Sequence, residues 1–259
     1  VQALKRIIPD SVVELFRAPY HFGLAYFSAL YYGFPARKLT VIAVTGTKGK
    51  SSVSEMLYVT LKDAGYKVAV ASTIRFAINE DSEPNLFKMT MPGRGFIQHF
   101  LARAVKKGCT HAVVEVTSES TKQFRHLFLF LNALVFTNLQ KEHIESHGSF
   151  EKYAAAKLKI GTSLAHSPKR PRAIIANSDD EHSAPFLALP VETKLPFSYS
   201  DATSVSLNPG AVSFTYKNTP FSLHLPGSFS VKNALAVIVA ASFVGAPLEK
   251  ISQALAKLE

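Results

Sequence analysis

Cysteine is nearly absent from this 259-residue chain, which has one, Cys109. A single thiol excludes an internal disulfide framework and any zinc site that needs several cysteines. Cys109 stands just before an apolar stretch, so we expect a buried and inert thiol. The start of the chain also lacks a signal-peptide pattern, because charged residues are spread through its first 17 positions. Together these absences favour a reducing, cytoplasmic setting.

Long apolar runs are missing as well. The uncharged aromatic segment at residues 22–34 is shorter than the roughly 20 residues that span a bilayer. A helix over residues 12–34 could instead lie on a membrane surface as a peripheral contact. Its basic face is undeveloped, so packing against the protein's own core or a neighbouring domain is the favoured interpretation.

Basic residues exceed acidic ones, yet they form neither an arginine-rich tract nor a block interleaved with aromatics. Nucleic acid is therefore not the expected partner. The formal net charge of +10 is better explained by lysines dispersed around a pocket for a phosphorylated ligand. With 47% hydrophobic and 19% charged residues, the chain is expected to fold as one large domain or two small ones.

A glycine-rich run lies between an apolar stretch at residues 41–44 and a helical pattern at residues 51–64, and it reads Thr45-Gly46-Thr47-Lys48-Gly49-Lys50-Ser51. A strand, a glycine turn and a helix N-terminus bring backbone N–H groups together, and the helix dipole favours an anion there. Lys50 is expected to reach the β- and γ-phosphates of a nucleoside triphosphate, and the Ser51 hydroxyl to ligate Mg²⁺. The general Walker pattern would need glycine at Val44, so the run is a shortened variant. A chance Gly-Lys-Ser in an ordinary turn is the weaker alternative.

Acidic and imidazole side chains follow the neighbouring apolar stretches. Glu115 closes an apolar strand at residues 111–116, where an acid is expected to meet the Mg²⁺ held by the loop serine. A strand-end salt bridge is the alternative. His143 lies in a cluster of two imidazoles and two carboxylates after the next strand, so it is a candidate second metal ligand or proton carrier. Lys157 lies on a helix among small apolar residues, and spacing alone favours a solvated helix residue there.

Apolar stretches and helical patterns alternate from residue 40, which predicts a parallel sheet with crossover helices. Buried strands are predicted at residues 39–45, 67–71, 111–116, 134–137 and 173–176, and helices at residues 51–64, 95–107 and 150–165. Short strands with turn signals follow at residues 191–199, 204–207, 211–216 and 221–225, and helices at residues 230–244 and 248–257. The predicted fold class is α/β: a P-loop-type, doubly wound, mostly parallel sheet with a small antiparallel flap after about residue 190.

The order and spacing of these motifs resemble those of the Mur ligases, the ATP-dependent amino-acid ligases of peptidoglycan synthesis, and most closely the UDP-N-acetylmuramoyl-tripeptide synthetases. The matching segments are residues 45–51, 115–118, 137–157 and 225–234, within a resemblance that covers roughly residues 40–259. It implies a central ATPase domain over residues 39–259, with a short helical segment over residues 1–38 where the family has a UDP-binding domain. The C-terminal domain that takes the amino acid is expected to be absent, since the sequence ends near where it would begin.

The resemblance also implies ligands for individual residues. ATP would contact the loop, an adenine-binding asparagine and an arginine, which are Gly46, Thr47, Lys48, Gly49, Lys50, Ser51, Ser52, Asn233 and Arg125. Ser51 and Glu115 would hold one Mg²⁺, and His143 a second. Lys157 matches a lysine that is carbamylated by CO₂ near the metal site, which replaces the interpretation from spacing. The implied catalytic residues are Lys50, Lys157 and His143.

Residues Thr90, Pro92, Thr117 and Ser118 match positions that contact the UDP-sugar acceptor. Several neighbouring positions depart from the family pattern, and these are Met91 for a threonine, Glu119 for a histidine that is frequent in tripeptide synthetases, and Glu142 and Glu145 for aspartates. The departures put the acceptor contacts in question.

The leading hypothesis is an ATP-dependent ligase core that joins a UDP-N-acetylmuramoyl-peptide to an amino acid through an acyl phosphate. An ATP-binding module without turnover of its own is the alternative from another class. A folylpolyglutamate synthase-like ligase ranks lower, because that family usually has glycine after the loop lysine, where this chain has Ser51. The single cysteine excludes the amidotransferase-associated Mur relative, which carries a cysteine-rich zinc insert. The sequence does not specify the amino acid added, the exact acceptor or the oligomeric state.

Overall fold

The computed structural model describes residues 10–87, 89–93, 95–142 and 147–258. Eight strands form the main sheet in the order β4-β3-β2-β5-β1-β6-β7-β8. Their bounds are Thr40–Thr45 (β1), Val68–Ala71 (β2), Arg75–Ile78 (β3), Asp81–Pro84 (β4), His111–Glu115 (β5), Ala133–Phe136 (β6), Ala173–Asn177 (β7) and Thr193–Phe197 (β8). All neighbours from β2 to β8 pair in parallel, whereas β3 and β4 are antiparallel additions at one edge.

The helices cover both faces of this sheet. Their bounds are Asp10–Tyr31 (α1), Lys50–Asp63 (α2), Phe96–Lys106 (α3), Ser118–Lys122 (α4), Phe150–Ala165 (α5), Ala184–Leu187 (α6), Ser228–Phe243 (α7) and Leu248–Leu255 (α8). Two short 3₁₀ turns lie at Pro35–Lys38 and Tyr199–Asp201. On one face, α2, α7 and α8 bury their apolar residues, and on the other α3 and α5 do so. The sheet is therefore doubly wound, as predicted.

The register of the central strands sets the position of the site. β1 lies between β5 and β6, with Val44 opposite Glu115 and Thr45 opposite Phe136. Every residue of β1 from Val41 onward is buried. Because the three strands run in parallel, their carboxyl ends and the loops that follow meet at one edge of the sheet, where open α/β sheets bind ligands.

A second, three-stranded antiparallel sheet comprises Thr203–Asn208 (β9), Ala211–Tyr216 (β10) and Thr219–Leu223 (β11). Phe214 and Phe221 face each other across β10 and β11 with stacked rings, and both are buried in the core formed with α7 and α8. The predicted antiparallel flap is confirmed. Its start is later than the sequence indicated, because the strand expected at residues 191–199 joins the main sheet in parallel as β8.

Helix α1 packs its inner face against aromatic residues after α4. Phe22 makes edge contacts with Phe124 and Phe128, and Tyr26 also contacts Phe128. The outer face carries four exposed aromatic side chains, Phe16, Tyr20, Phe27 and Tyr31. Within the described part of the chain, no helix is both long and apolar enough to cross a membrane.

Candidate functional site

The loop between β1 and α2 is shaped by two glycines that cannot be replaced without conflict. Gly49 caps α2 with φ near +80°, in the left-handed region that favours glycine. A Cβ at Gly49 would lie 2.6 Å from Asn233 Oδ1, and one at Gly46 would lie 1.9 Å from Thr137 Oγ1. The close approach of β6 and α7 to the loop therefore depends on both glycines.

Residues after β6 hold the loop through hydrogen bonds. Asn138 accepts from the Thr47 N–H through its carbonyl at 2.8 Å, and its side-chain oxygen accepts from the Lys48 N–H at 2.8 Å. The Asn138 amide and the Thr137 hydroxyl both donate to the Lys48 carbonyl, at 3.0 and 2.7 Å. The Gln140 N–H donates to the Thr47 hydroxyl at 2.9 Å. These contacts fix the loop to the edge of the sheet before any ligand binds, so its backbone is preorganised.

Lys50 opens α2 and folds back over the loop. Its amine donates to the Thr47 carbonyl at 2.8 Å. Burial lowers its pKa, although Glu115 and Glu142 oppose that shift. A cation held at a helix N-terminus beside backbone N–H groups is suited to the terminal phosphates of a nucleotide.

Glu115, at the end of β5, meets Ser51 in the first turn of α2, as the sequence predicted. The Ser51 hydroxyl lies 3.1 Å from both carboxylate oxygens of Glu115, which is buried. The backbone N–H of Thr73 donates to the same carboxylate at 2.8 Å. A hydroxyl and a carboxylate are the hard oxygen donors that Mg²⁺ prefers, so these two residues fit a magnesium ion completed by phosphate and water.

A second magnesium position involves residues outside the described part of the chain. His143 and Glu145 belong to that undescribed stretch. Glu142 is described, and it forms an ion pair with Lys48 at 3.5 Å. Among the residues that the structure covers, no cluster of three or more His, Cys, Asp or Glu side chains is arranged to hold a metal ion. The second metal site stays a prediction.

Lys157 is buried behind the loop, with only 2% of its surface exposed. Its amine donates to the Gly46 carbonyl and lies 4.7 Å from the centre of the Tyr153 ring. Burial and then the charge of Lys50 lower its pKa to about 7, against the opposing effect of Glu115 and Glu142. The interpretation from spacing alone, a solvated helix residue, is therefore wrong.

The other residues singled out from the sequence fall into three groups. Asn233 lies beside Gly49 at the loop, and Ser52 is exposed in the first turn of α2. Thr117 occupies the N-cap position of α4, and the Ser118 hydroxyl is 3.0 Å from Nε2 of the buried His147. Arg125 donates to the Met91 carbonyl and to the Gln123 side chain, so its contacts are with the segment around Thr90 and Pro92.

Met91 occupies a buried position in the core beneath that segment, whereas the Thr90 hydroxyl pairs with the Thr73 hydroxyl at 2.7 Å. Sequence reasoning assigned no role to Thr73 or Tyr153. The Tyr153 hydroxyl is 3.0 Å from the Thr47 hydroxyl, so it links α5 to the loop. Only the turn after β2 and the helical spacing of Tyr153 before Lys157 hinted at these positions.

Cys109 is buried, with a pKa raised by that burial, as expected of an inert thiol.

The family model of the Mur ligase middle domain matches residues 44–241, which is most of the chain and includes the loop, Glu115, Lys157 and Asn233. The chain belongs to the Mur ligase middle-domain family. A UDP-N-acetylmuramyl-tripeptide synthetase from Roseiflexus sp. is 31% identical over 255 residues, which cover 91% of this chain and 50% of that protein. The chain spans about half the length of the curated relatives it matches.

Solved structures show the same likeness in the fold, over about half of the matched ligase. A UDP-N-acetylmuramoyl-L-alanyl-D-glutamate–2,6-diaminopimelate ligase superimposes with a TM-score of 0.72 at 26% identity, covering 85% of this chain and 46% of that one. A folylpolyglutamate synthetase from Lactobacillus casei gives a TM-score of 0.65 at 17% identity, covering 90% and 66%. At 17% identity, this likeness shows only that the two chains share a fold.

Proposed function

We propose that this Mur ligase domain is the ATP-binding core of a ligase that joins a UDP-N-acetylmuramoyl-peptide carboxylate to an amino acid. The observation that carries the proposal is the convergence of Lys50, Lys157 and the Ser51–Glu115 pair on one loop. The names of the relatives, which are ligases and synthetases of UDP-N-acetylmuramoyl peptides, support the acceptor class.

The chemistry of such a ligase has two steps. A carboxylate oxygen of the acceptor attacks the γ-phosphorus of ATP, which breaks the bond to ADP and leaves an acyl phosphate. The amine of the amino acid then attacks the acyl carbon, and phosphate and a proton leave as the amide forms. Charge builds up on the transferring phosphoryl group, so catalysis is mainly electrostatic stabilisation and positioning.

In these two steps, the loop N–H groups would bind the phosphates, and Lys50 would offset their charge. Ser51 and Glu115 would hold Mg²⁺, which when bound supplies further positive charge to the phosphate oxygens. The second metal ligand, His143, rests on the family resemblance. Asn233, beside the loop, would contact the adenine. Thr90, Pro92, Thr117 and Ser118 would face the acceptor, and Arg125 would contact the nucleotide.

Carbamylation of Lys157 is part of the proposal. A neutral amine reacts with CO₂ to form a carbamate and release a proton, and a pKa of about 7 leaves much of Lys157 neutral at physiological pH. The product is an anion in place of an ammonium group that burial disfavours. In ¹³C-bicarbonate, we expect a carbamate carbon signal by NMR that is missing from Lys157→Met and retained in Lys159→Met, a variant of an exposed lysine on the same helix. A signal of equal intensity in both variants would exclude Lys157 as its source.

Two alternatives remain for comparison. An ATP-binding module without turnover of its own is the alternative from another class. A folate-type ligase is supported by the fold alone. We further propose that residues 39–259 form the central ATPase domain after a short N-terminal segment that includes α1, and that the protein acts in the cytoplasm, where ATP is available. Residues 1–9 of that segment lie outside the described part of the chain.

The deciding experiment measures ADP release by the chain with Mg·ATP. Ligase activity requires release that depends on both a UDP-N-acetylmuramoyl-peptide and an amino acid. Folded protein that binds ATP but releases no ADP with any such pair would exclude ligase activity of this chain on its own. Release that depends on a folate and glutamate, and not on the muramoyl peptide, would favour the folate-type ligase.

A further inference from the structure

A cleft of about 600 Å³ lies among the ends of α4 and α5, the segment at residues 124–131, and Arg17 and Ala18 of α1. Its volume falls in the range of small-molecule sites, which are mostly apolar with a few placed polar groups. Among the described residues that line it, none has a predicted role in binding ATP, magnesium or the acceptor. The cleft is therefore separate from the candidate site.

The apolar walls of the cleft are mainly aromatic. Phe124, Phe128 and Phe130 line it, and the ring centres of Phe128 and Phe130 lie 6.5 Å apart in an edge-to-face arrangement. All three residues have a left-handed backbone, with φ between 44° and 60°. Bulky side chains rarely adopt this conformation, which concentrates at functional sites. Aromatic walls favour an aromatic ligand, because rings pack well in edge-to-face and offset arrangements.

Basic side chains line the cleft as well. They are Arg17, Lys122 and Lys159, and none of the described residues that line the cleft is acidic. Lys122 forms an ion pair with Glu119 at 3.0 Å, and Lys159 is exposed on α5. A site that is lined by cations and has no acid in its walls favours an anion.

His126 carries the argument for a ligand. It lines the cleft with 5% of its surface exposed, and within the described part of the chain its Nδ1 atom has no hydrogen-bond partner. A buried polar atom without a partner is unfavourable unless a ligand supplies one. Burial lowers the pKa of His126 to about 4, a bond to the Ser120 backbone opposes that shift, and the charge of Lys159 adds to it. The ring is therefore neutral at physiological pH.

A neutral imidazole and the cations of the cleft call for different groups on the ligand. A hydroxyl satisfies Nδ1 of His126 in either tautomer of the ring, because it can both donate and accept a hydrogen bond. The anionic group belongs with the lysines instead. Lys159 lies within electrostatic range of His126, since its charge affects the pKa of that ring. One small molecule can therefore serve both groups.

We propose that this cleft binds a hydroxylated aromatic carboxylate. The ring of the ligand packs against the three phenylalanines. Its hydroxyl bonds to Nδ1 of His126, and its carboxylate lies against Lys122 and Lys159. The site is independent of the proposed ligase function, because its ligand needs neither ATP nor the phosphate loop.

The test is NMR titration of 4-hydroxyphenylacetate into the chain, with a dissociation constant expected at or below about 1 mM for a ligand of this size. Two further probes each lack one feature. Phenylacetate lacks the hydroxyl and should bind at least about threefold more weakly, and 4-hydroxyphenylacetamide lacks the charge and should bind at least about tenfold more weakly. A saturating non-hydrolysable ATP analogue with Mg²⁺ should leave the affinity for 4-hydroxyphenylacetate unchanged.

Variants locate the probe. His126→Phe keeps a ring but has no ring nitrogen, so it should bind 4-hydroxyphenylacetate and phenylacetate equally. Lys159→Met should reduce the preference for the carboxylate over the amide at least about threefold. Lys152→Met removes an exposed lysine of the same helix that does not line the cleft, and it should keep that preference. Each comparison is made between two probes on one variant, so a general loss of stability does not imitate the result.

Four results would overturn the inference. These are no binding of 4-hydroxyphenylacetate up to about 10 mM, equal affinity for the three probes, displacement of the probe by the ATP analogue, and an unchanged preference for the hydroxyl in His126→Phe. Displacement by the ATP analogue would place the probe at the phosphate loop. If His126→Phe does not fold, the three probes on the original protein and on Lys159→Met decide the question. Failure of the ligase proposal is distinct, because it concerns ADP release.

Discussion

The ammonium group of Lys157 is unfavourable where the fold holds it, and this has a consequence for stability. In the folded state its pKa is about 7, with burial the main cause, whereas an unfolded lysine titrates near 10.4. Between those values only the unfolded state keeps the proton. Stability therefore rises with pH through this window, by at most about 1.4 kcal/mol per pH unit, and the full cost of burial is present below pH 7.

Lys157→Met lacks this titration. In buffer free of CO₂, we expect the stability of Lys157→Met relative to the original protein to be greatest near pH 6. The difference in free energy of unfolding should shift toward the original protein as the pH rises to 9. Urea denaturation at a series of pH values measures the difference. Lys159→Met, which removes an exposed lysine from the same helix, is the matched control. A pH-independent difference for Lys157→Met would show that its pKa is near the ordinary value.

Lys50 is the residue on which nucleotide affinity should depend most. It is held against the Thr47 carbonyl at the start of α2, where a phosphate would take over that contact. Hydrogen bonds to charged groups contribute about 1.5–3 kcal/mol, so Lys50→Met should weaken ATP binding about 10- to 100-fold. Lys62→Met removes a lysine from the last turn of the same helix, paired with the exposed Glu80, and should change affinity less than about twofold. Calorimetry decides, and equal effects of the two variants would contradict the assignment of the loop.

At the scale of elements, the phosphate loop depends on how closely β6 approaches β1. An added Cβ at Gly46 would meet the Thr137 hydroxyl and the Asn138 backbone, whereas at Gly49 it would meet the movable Asn233 side chain. We expect Gly46→Ala to destabilise the protein by more than about 2 kcal/mol and Gly49→Ala by about 1–2 kcal/mol, the cost of a left-handed backbone. Gly210→Ala, where the space is open, should stay within about 0.5 kcal/mol. Thermal unfolding ranks the three variants, and a smaller loss for Gly46→Ala than for Gly49→Ala would contradict the packing argument.

The buried strands of the main sheet could be predicted closely from sequence, since continuous apolar runs bounded by glycine and polar residues leave few alternatives. Each of the five lies within one residue of its observed bounds. The β3–β4 hairpin escaped prediction because β4, Asp81–Pro84, is exposed along its length and has no apolar alternation. The available signal in the sequence was Asn79, an asparagine in the turn between the two strands, which adopts a left-handed backbone in the structure. The pairing of β8 also depends on tertiary contacts that its sequence does not encode.

The site also has features that could be predicted from the sequence and features that could not. The pairing of Ser51 with Glu115 follows from strand order and could be anticipated. The burial of Lys157 could not be anticipated from spacing, because it depends on the loop after β1 passing over α5, a contact between residues 111 positions apart. The contact of Arg125 with the nucleotide stays a prediction, and the structure adds its hydrogen bond to the Met91 carbonyl, which strand order did not indicate.

At the scale of the whole molecule, the excess of positive charge is not concentrated at the phosphate loop. Lys48 is paired with Glu142 and Lys232 with Asp179, so much of the basic charge near the site is locally balanced. The net charge of +10 is a property of the whole chain, so its attraction for an anionic nucleotide acts at long range. Such attraction acts on the rate of association and is screened by salt.

The association rate constant of Mg·ATP, measured by stopped flow, should therefore fall about tenfold between about 50 and about 500 mM NaCl, while that of uncharged adenosine stays constant. Reversing two exposed lysines remote from the loop, Lys194→Glu and Lys250→Glu, should lower the low-salt rate constant and flatten its salt dependence without altering the dissociation rate. If the reversed variants kept the original salt dependence, steering would have to come from the loop lysines alone. In that case the basic surface would be free to serve another anionic partner.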